Sequence, residues 1–139
     1  MKAFITGGAG FIGSNLTDRL LQNGYEVRVY DNLSTGQLRF LDNAKNDERF
    51  SFVEGDLLDE DTLSKSMGGF QMVFHFAANA DVRFGTDHPR RDLEQNTIAT
   101  FNVLEAMRHQ SIRKIAFAST GSVYGLSLIH ISEPTRQLC

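Results

Sequence analysis

The sequence predicts an α/β domain built on an open, doubly wound parallel sheet. Two observations support this: short runs rich in Val, Ile and Phe alternate along the chain with helical patterns, and each run ends in turn-forming residues. Parallel neighbouring strands need a long right-handed return, so helices in these returns cover both faces of the sheet. The usual strand order of such a sheet is 3-2-1-4-5.

Five of the apolar runs are expected to form the strands. Each is short and rich in β-branched and aromatic residues, as strands are. The runs cover residues 3–6, 25–30, 49–55, 70–78 and 113–119.

Two further patterns predict crossover helices between the strands. Ile12, Leu16 and Leu20 recur every four residues, and a second set recurs at spacings of four, three, four and three. Residues at these spacings share one face of a helix, so each set predicts one helix. The second set consists of Leu93, Thr97, Thr100, Leu104 and Met107.

Composition excludes several classes of protein. A chain of 139 residues that is 41% hydrophobic and 22% charged suits one domain with its own core. With a net charge of −3 and no run of Lys or Arg, a nucleic acid is not an expected partner. No apolar run reaches the about 18 residues that a membrane span needs, and the amino end does not resemble a signal peptide, so a cytoplasmic protein with no membrane partner is expected. The only cysteine, Cys139, and the spacing of the histidines predict no metal site.

The strongest indication of function is the stretch ITGGAGFIGSN, residues 5–15, which follows the first strand and begins the first helix. It places Gly7, Gly10 and Gly13 at a G-x-x-G-x-x-G spacing. So tight a turn needs residues without Cβ, and a diphosphate can approach only a bare backbone. The free N–H groups of Phe11 and Ile12 at the helix start would then face the diphosphate as an anion site.

An acidic residue follows at the distance that a dinucleotide site requires. The second strand ends on Asp31, 18 residues after Gly13. The carboxylate that holds an adenosine ribose is expected about 20 residues after the glycine motif. The alternative is a glycine-rich connector with a helix-capping Asp. Because both features occur in the expected order, the sequence favours a Rossmann-type dinucleotide-binding domain.

Six blocks, in order along residues 2–125, resemble those of one family. They are TGGAGFIGS, DNLSTG, GDL, HFAA, QNTIATFNVLEA and STGSVYG. The chain thereby resembles the extended short-chain dehydrogenase/reductases, also called NAD-dependent epimerases and dehydratases of nucleotide sugars, and among them the UDP-glucose 4-epimerases most. The resemblance implies a Rossmann-type domain over residues 1–125 with NAD as its cofactor.

The resemblance also implies cofactor contacts for residues in these blocks. In the family, the glycine loop contacts the diphosphate, two residues hold the adenosine ribose, two frame the adenine and three line the nicotinamide side. In this chain the diphosphate positions are Gly7, Gly10, Phe11, Ile12 and Gly13. The ribose positions are Asp31 and Asn32, and the adenine positions are Asp56 and Leu57. The nicotinamide side is formed by Phe76, Ala77 and Ala78. Asn96 matches a further cofactor-contacting Asn, although an Asn facing inward from a helix equally suits a structural hydrogen bond to a loop.

The substrate that the resemblance implies is a nucleotide sugar, and a UDP-hexose is expected. The segment from Asn79 to Arg83 follows the fourth strand, where a doubly wound sheet presents its loops to a ligand. Arg83 would bind the diphosphate of this substrate, or else lie in solvent as an ordinary surface residue.

The family's chemistry uses a Ser or Thr that binds the reacting hydroxyl, a Tyr that acts as base or acid, and a Lys four residues later that lowers the pKa of the Tyr. Thr120 matches the hydroxyl position and is the expected catalytic residue of this chain. Tyr124 does not match the base, because the residue four places later is Leu128, and the sequence contains no Tyr-x-x-x-Lys. This chain is therefore expected to be inactive by itself, although its parent is expected to be an enzyme.

The activity implied for the parent is that of a nucleotide-sugar epimerase, which transfers a hydride from C4 of the sugar to NAD and returns it to the other face. A dehydratase or decarboxylase that begins with the same oxidation is the alternative within the family. A non-catalytic NAD-binding regulator of the same fold is the alternative from another class, since the fold alone does not decide function. The resemblance also allows a homodimeric parent enzyme.

The last segment of the chain does not continue the family pattern. Residues 126–136, LSLIHISEPTR, match the translation of a transposase adapter used to prepare DNA for sequencing. Residues 126–139 are therefore expected to be a non-native tail, and the sheet is expected to be truncated after its fifth strand.

Overall fold

Five parallel strands form one sheet. The computed structural model describes residues 1–79 and 87–119. The strands are β1 (Lys2–Thr6), β2 (Glu26–Asp31), β3 (Phe50–Glu54), β4 (Met72–His75) and β5 (Lys114–Phe117). Their order is β3-β2-β1-β4-β5, and no strand extends more than one residue beyond its predicted run. The predicted doubly wound α/β fold is therefore confirmed.

Helical segments connect the strands. The first helix, α1 (Phe11–Gln22), joins β1 to β2, and α2 (Glu60–Met67) joins β3 to β4. The connection from β4 to β5 contains α3 (Pro89–Asp92), a π-helical segment (Leu93–Ile98) and α4 (Ala99–His109), while two 3-10 turns (Leu38–Leu41 and Ala44–Asn46) lie between β2 and β3. No helix within residues 1–79 and 87–119 is long and apolar enough to cross a membrane.

Local sequence explains where α2 begins. The carboxylate of Asp59 caps the helix by accepting a hydrogen bond from the backbone N–H of Thr62 at 3.1 Å. Glu60 and Asp61 place negative charge in the first turn, where the positive end of the helix dipole stabilises it.

Side chains from alternate strand positions build a core on each face of the sheet. On one face, Ala3 and Ile5 of β1 pack in a cluster with Leu20 and Leu21 of α1. On the other face, Phe4 packs in a cluster that includes buried side chains of α2 and α4, among them Leu63, Met67 and Val103. Both faces of the sheet are thus covered around β1, as a parallel sheet requires, whereas all four residues of β5 are exposed.

Only some of the apolar residues that predicted the crossover helices lie on their buried faces: Leu20 and Met107 are buried, whereas Ile12, Leu93 and Leu104 are exposed. Ile12 is 63% exposed because it lies in the first turn of α1, beside the cleft described below and not over the core. Leu93 and Leu104 are 52% and 47% exposed. The π-helical segment widens one turn between α3 and α4, which changes the phase of the face that follows. The residues of α4 that are buried are Ala99, Asn102, Val103, Ala106 and Met107.

The register of the strands brings their carboxyl ends to one edge of the sheet. Thr6 pairs with Tyr30 on one side and with His75 on the other, and His75 pairs with Phe117. The residues that directly follow β1, β2, β4 and β5 therefore lie at this edge, which is where open parallel sheets bind ligands.

Candidate cofactor-binding site

The loop between β1 and α1 requires glycine because other parts of the backbone touch it. Gly7 has a φ of +68°, and a Cβ there would lie 2.6 Å from the backbone nitrogen of Ala77. A Cβ on Gly13 would lie 2.5 Å from the carbonyl oxygen of Gly7. The turn is closed by a hydrogen bond from the N–H of Gly10 to the same carbonyl, at 3.2 Å. The loop thus presents bare backbone, as the spacing of its glycines predicts.

The start of α1 offers backbone donors to an anion. Gly10 caps the helix in an extended conformation without a side-chain hydrogen bond, and the first turn contains no acidic residue. The first backbone bond into the helix runs from the N–H of Ser14 to the carbonyl of Gly10, at 3.0 Å. The N–H groups of Phe11, Ile12 and Gly13 precede this bond and have no acceptor within the helix. A negatively charged group is favoured in front of them.

These N–H groups face a cleft of about 310 Å³, which lies at the edge of the sheet formed by the carboxyl ends of the strands. Eleven of the residues predicted from the sequence line it: Gly7, Gly10, Phe11, Ile12, Gly13, Asp31, Asn32, Leu57, Phe76, Ala77 and Ala78. The sequence reasoning did not name seven other lining residues, which are Tyr30, Ser34, Thr35, Gly36, Gly55, Gln95 and Ala118. Five of these seven lie in the matched blocks, positions 34–36 in DNLSTG, Gly55 in GDL and Gln95 in QNTIATFNVLEA, so the block matches could have indicated them.

Asp31 ends β2 and is fixed at the wall of the cleft. Its Oδ2 accepts a hydrogen bond from the N–H of Ala9 at 2.9 Å, and its Oδ1 accepts one from the N–H of Leu33 at 2.9 Å. Gly36 packs directly on the carboxylate, since a Cβ there would lie 3.0 Å from Oδ1 and 2.9 Å from the Cβ of Ala9. The loop after β2 is therefore docked on the glycine loop with the carboxylate between them.

Asn32 and Asp56 connect two loops of the site. The side-chain Nδ2 of Asn32 donates to Oδ2 of Asp56 at 3.3 Å, and Oδ1 of Asp56 accepts from the N–H of Leu58 at 2.9 Å. Leu57 lines the cleft, whereas Asp56 is not among its lining residues. The carboxylate of Asp56 thus holds the loop after β3 in place and is directed toward its neighbours in that loop and to Asn32.

Tyr30 forms the floor behind these loops. The ring is buried, and its hydroxyl donates to the backbone carbonyl of Asp56 at 3.0 Å. Burial, followed by the nearby carboxylates of Asp59 and Asp56, raises the pKa of Tyr30 to about 12. The phenol is therefore a neutral structural donor near pH 7 and is unsuited to act as a base.

A chain of buried polar groups lies under the other end of the cleft. Nδ1 of His75 is 2.6 Å from Oγ1 of Thr6, and Nε2 is 3.0 Å from Oγ1 of Thr100. Oγ1 of Thr6 also accepts from the N–H of Ala77 at 3.4 Å, and the hydroxyl of Thr100 donates to the carbonyl of Asn96 at 2.5 Å. Burial lowers the pKa of His75 to about 4, so the imidazole is neutral near pH 7.

Asn79 and Asn96 are held together beside this chain. The N–H of Asn79 donates to Oδ1 of Asn96 at 2.7 Å, and Nδ2 of Asn79 donates to Oδ1 of Asp92 at 2.7 Å. Neither asparagine lines the cleft, although Gln95 and Ala78, their chain neighbours, do. This geometry agrees with the structural alternative for Asn96, a hydrogen bond from a helix to a loop.

Several predicted positions lie outside the described residues. These are Arg83, Thr120, Tyr124 and the segment 126–139. Across the parts of the chain that the structure does describe, no group of three or more His, Cys, Asp or Glu side chains forms a candidate metal site.

Comparison with known proteins gives matches along most of the chain. The model of the NAD dependent epimerase/dehydratase family matches residues 3–137. The UDP-glucose 4-epimerase of Mycolicibacterium smegmatis is 41% identical over 128 residues, which cover 90% of this chain and 41% of that protein. The UDP-glucose 4-epimerase of Bacillus subtilis is 35% identical over 130 residues, which cover 91% of this chain and 38% of that protein. The chain thus spans well under half the length of these relatives.

Solved structures give the same result. The UDP-glucose 4-epimerase of Thermotoga maritima with UDP-glucose matches with a TM-score of 0.81 and 37% identity, covering 92% of this chain and 41% of that chain. The Thermus thermophilus UDP-glucose 4-epimerase complex with NAD matches with a TM-score of 0.82 and 37% identity, covering 97% of this chain and 43% of that chain. The resemblance drawn from the sequence blocks is therefore confirmed, and so is NAD as the cofactor of the matched family.

Proposed function

The chain belongs to the NAD dependent epimerase/dehydratase family, and we propose that it is the NAD-binding portion of a nucleotide-sugar epimerase similar to the UDP-glucose 4-epimerases. The observation that carries this proposal is the glycine loop. Its bare backbone and the N–H groups at the start of α1 open into the cleft that Asp31 also lines. The identity of 41% to a UDP-glucose 4-epimerase supports the choice of enzyme.

The residues around the cleft fit NAD by their chemistry. A diphosphate suits the first-turn N–H groups of α1, where no acidic side chain repels it. Each carboxylate oxygen of Asp31 accepts one backbone hydrogen bond and has a further lone pair for a ribose hydroxyl. Leu57 offers an apolar contact to the adenine, and Asn32 with Asp56 would hold that loop in position. Phe76 and the two alanines after it would line the nicotinamide side.

The chemistry that NAD supplies in such an enzyme is removal of a hydride from C4 of the sugar and its return to the opposite face. The residues of this chain would bind and orient the reactants. We propose that Thr120 binds the reacting hydroxyl and that residues 79–83 contact a UDP-hexose, with Arg83 on its diphosphate. The similarity to proteins named UDP-glucose 4-epimerase supports this substrate class.

A second candidate activity has its own support. A protein named CDP-paratose 2-epimerase, from Salmonella typhi, is 37% identical over 132 residues, which cover 90% of this chain and 38% of that protein, and its name specifies another nucleotide sugar. A dehydratase or decarboxylase of the family would likewise share the opening oxidation. Assay of the complete parent enzyme with UDP-glucose and, separately, with CDP-paratose distinguishes these activities by the substrate consumed and the product formed.

Calorimetric titration of the chain with NAD and with NADP tests the cofactor assignment. We expect NAD to bind more tightly, because Asp31 would repel a 2′-phosphate and the loop at residues 32–36 contains no Arg or Lys to neutralise it. In Asp31→Asn the preference for NAD should fall by about tenfold. Asp61→Asn, which removes the same charge from the exposed start of α2, is the matched control and should leave the preference unchanged. Tighter binding of NADP by the unmodified chain would refute the role of Asp31.

We further propose that this chain has no epimerase activity by itself, because its sequence contains no Tyr-x-x-x-Lys. A positioned proton-transfer group contributes about 10² to 10⁴ in rate, and Thr120 alone does not replace it. Incubation with NAD and UDP-glucose, followed by chromatography, should yield no UDP-galactose above a Thr120→Val control. Turnover above that control would show that the catalytic groups are misassigned, with Tyr124 the first residue to reconsider.

A further inference from the structure

The hydrogen bonds around His75 connect three parts of the fold under the nicotinamide end of the cleft. Thr6 ends β1, His75 ends β4, and Thr100 lies in the first turn of α4, directly after the π-helical segment. Thr6 and His75 are also paired in the sheet. The imidazole is 1% exposed, and its ring stacks on Phe117 of β5 with ring centroids 5.5 Å apart.

The direction of each hydrogen bond follows from the number of protons available. The carbonyl of Asn96 can only accept, so the single hydroxyl proton of Thr100 is used there. Oγ1 of Thr100 must then accept from Nε2–H of His75. In a neutral imidazole Nδ1 is then an acceptor, and it receives the hydroxyl proton of Thr6. Oγ1 of Thr6 is left to accept the N–H of Ala77.

This series of hydrogen bonds ends on both sides at groups near the nicotinamide part of the cleft. At one end is Ala77, which lines the cleft and whose backbone lies against Gly7. At the other end is Asn96, whose side chain holds the N–H of Asn79. His75 itself does not line the cleft, so it acts on this region only through its partners.

We propose that His75, as a neutral Nε2–H tautomer, is a positioning residue that fixes the backbone from Ala77 to Asn79 against Asn96 and thereby shapes the pocket for the nicotinamide half of the dinucleotide. This inference rests on the proposed function of the chain. An apolar side chain would fill the same buried position without a need for partners. The imidazole instead provides a donor and an acceptor that tie two strand ends to the helix that begins beside the cleft.

A test of the tautomer needs no variant. Long-range ¹H–¹⁵N spectra of the uniformly labelled chain distinguish the two nitrogens of a neutral imidazole by their chemical shifts. We expect His75 at pH 7 to show a protonated Nε2 and an unprotonated Nδ1. A protonated Nδ1, or rapid exchange between both tautomers, would overturn the proposal.

The positioning role is tested by the ratio of the dissociation constants for ADP and NAD, since ADP lacks the nicotinamide half. His75→Phe removes both hydrogen bonds and keeps a ring, and we expect it to weaken NAD binding about tenfold with less than a twofold change for ADP. His75→Gln keeps a donor for Thr100 and should recover part of the loss. If His75→Phe does not fold, Thr100→Val provides a second test. It removes the hydroxyl that accepts from Nε2–H of His75 at nearly constant side-chain shape, and it should change the ratio of the dissociation constants in the same direction.

The matched control is Val73→Ala, which creates a cavity on the same strand and the same face of the sheet. It should lower stability and leave the ratio of the two dissociation constants unchanged. If His75→Phe leaves the ratio of the two dissociation constants unchanged, whether or not it weakens the binding of both ligands, the positioning role alone would be overturned. Failure of the unmodified chain to bind NAD would instead overturn the proposed function and, with it, this inference.

Discussion

Replacement of Gly7 by Ala tests the contact on which the geometry of the glycine loop depends. The methyl group would lie 2.6 Å from the nitrogen and 2.8 Å from Cα of Ala77, and 2.8 Å from the carbonyl carbon of Phe76. All three are backbone atoms, so no side chain can rotate away. The loop or the chain after β4 must move, and both line the cleft.

The expected magnitude has two parts. Gly7 has a φ of +68°, and an L-residue in this left-handed region costs about 1–2 kcal/mol. Overpacking against fixed atoms adds about 1–3 kcal/mol. We therefore expect the free energy of unfolding to fall by about 2–5 kcal/mol in Gly7→Ala, and the affinity for NAD to fall with it.

Gly69→Ala separates these two parts. Gly69 has a φ of +82°, but a Cβ there would have no atom within 4 Å. It should therefore show the backbone cost alone, with unchanged binding of NAD. Urea unfolding and calorimetric titration of both variants provide the comparison. Equal losses of stability in the two variants, with NAD binding retained in Gly7→Ala, would refute the argument that close approach to Ala77 requires glycine at position 7.

Three further predictions concern neighbouring groups. The pKa of His75 is about 4 in the folded state and 6.5 in the unfolded state, so between these pH values the unfolded state binds more protons than the folded state. The free energy of unfolding should therefore fall on acidification by up to about 1.4 kcal/mol per pH unit. Urea titrations of His75→Phe at several pH values should lack this part of the slope. Tyr30→Phe removes the hydrogen bond to the carbonyl of Asp56 and should cost about 1 kcal/mol of stability, measured by thermal unfolding, whereas no loss would show the bond to be unimportant. Gly36→Ala places a methyl group 3.0 Å from Oδ1 of Asp31 and should weaken NAD binding several-fold, which calorimetry would detect.

The parts of the site that the sequence predicts are those defined by local spacing. Gly7, Gly10 and Gly13 lie within one turn and the start of one helix, and Asp31 follows at the end of the next strand. In such short units the backbone geometry depends on a few adjacent residues, so a spacing is sufficient to predict it. The order of the strands follows similarly from the rules for parallel crossovers.

Two of the remaining features depend on contacts between distant parts of the chain, and a third depends on a local change of helix type. The bond between His75 and Thr6 joins residues 69 positions apart, and no local pattern marks it. The carboxylate of Asp56 is directed to Asn32, 24 positions away, rather than into the cleft. The buried face of α4 follows a π-helical segment whose extra residue per turn defeats a period of 3.6. Tertiary packing therefore decides the first two features and the π-helical segment decides the third, and the spacings in the sequence predict none of them.

The most direct test of the central claim, that this chain binds NAD on its glycine loop, is a titration of the ¹⁵N-labelled chain with NAD followed by ¹H–¹⁵N spectra. We expect saturable shifts of the amide signals of Phe11, Ile12 and Gly13, whose N–H groups have no acceptor within α1, together with those of Asp31 and its loop. The amide signals of α2, which packs against the face of the sheet opposite α1, should not shift. Absence of saturable shifts at millimolar NAD, or shifts that avoid the start of α1, would contradict the claim.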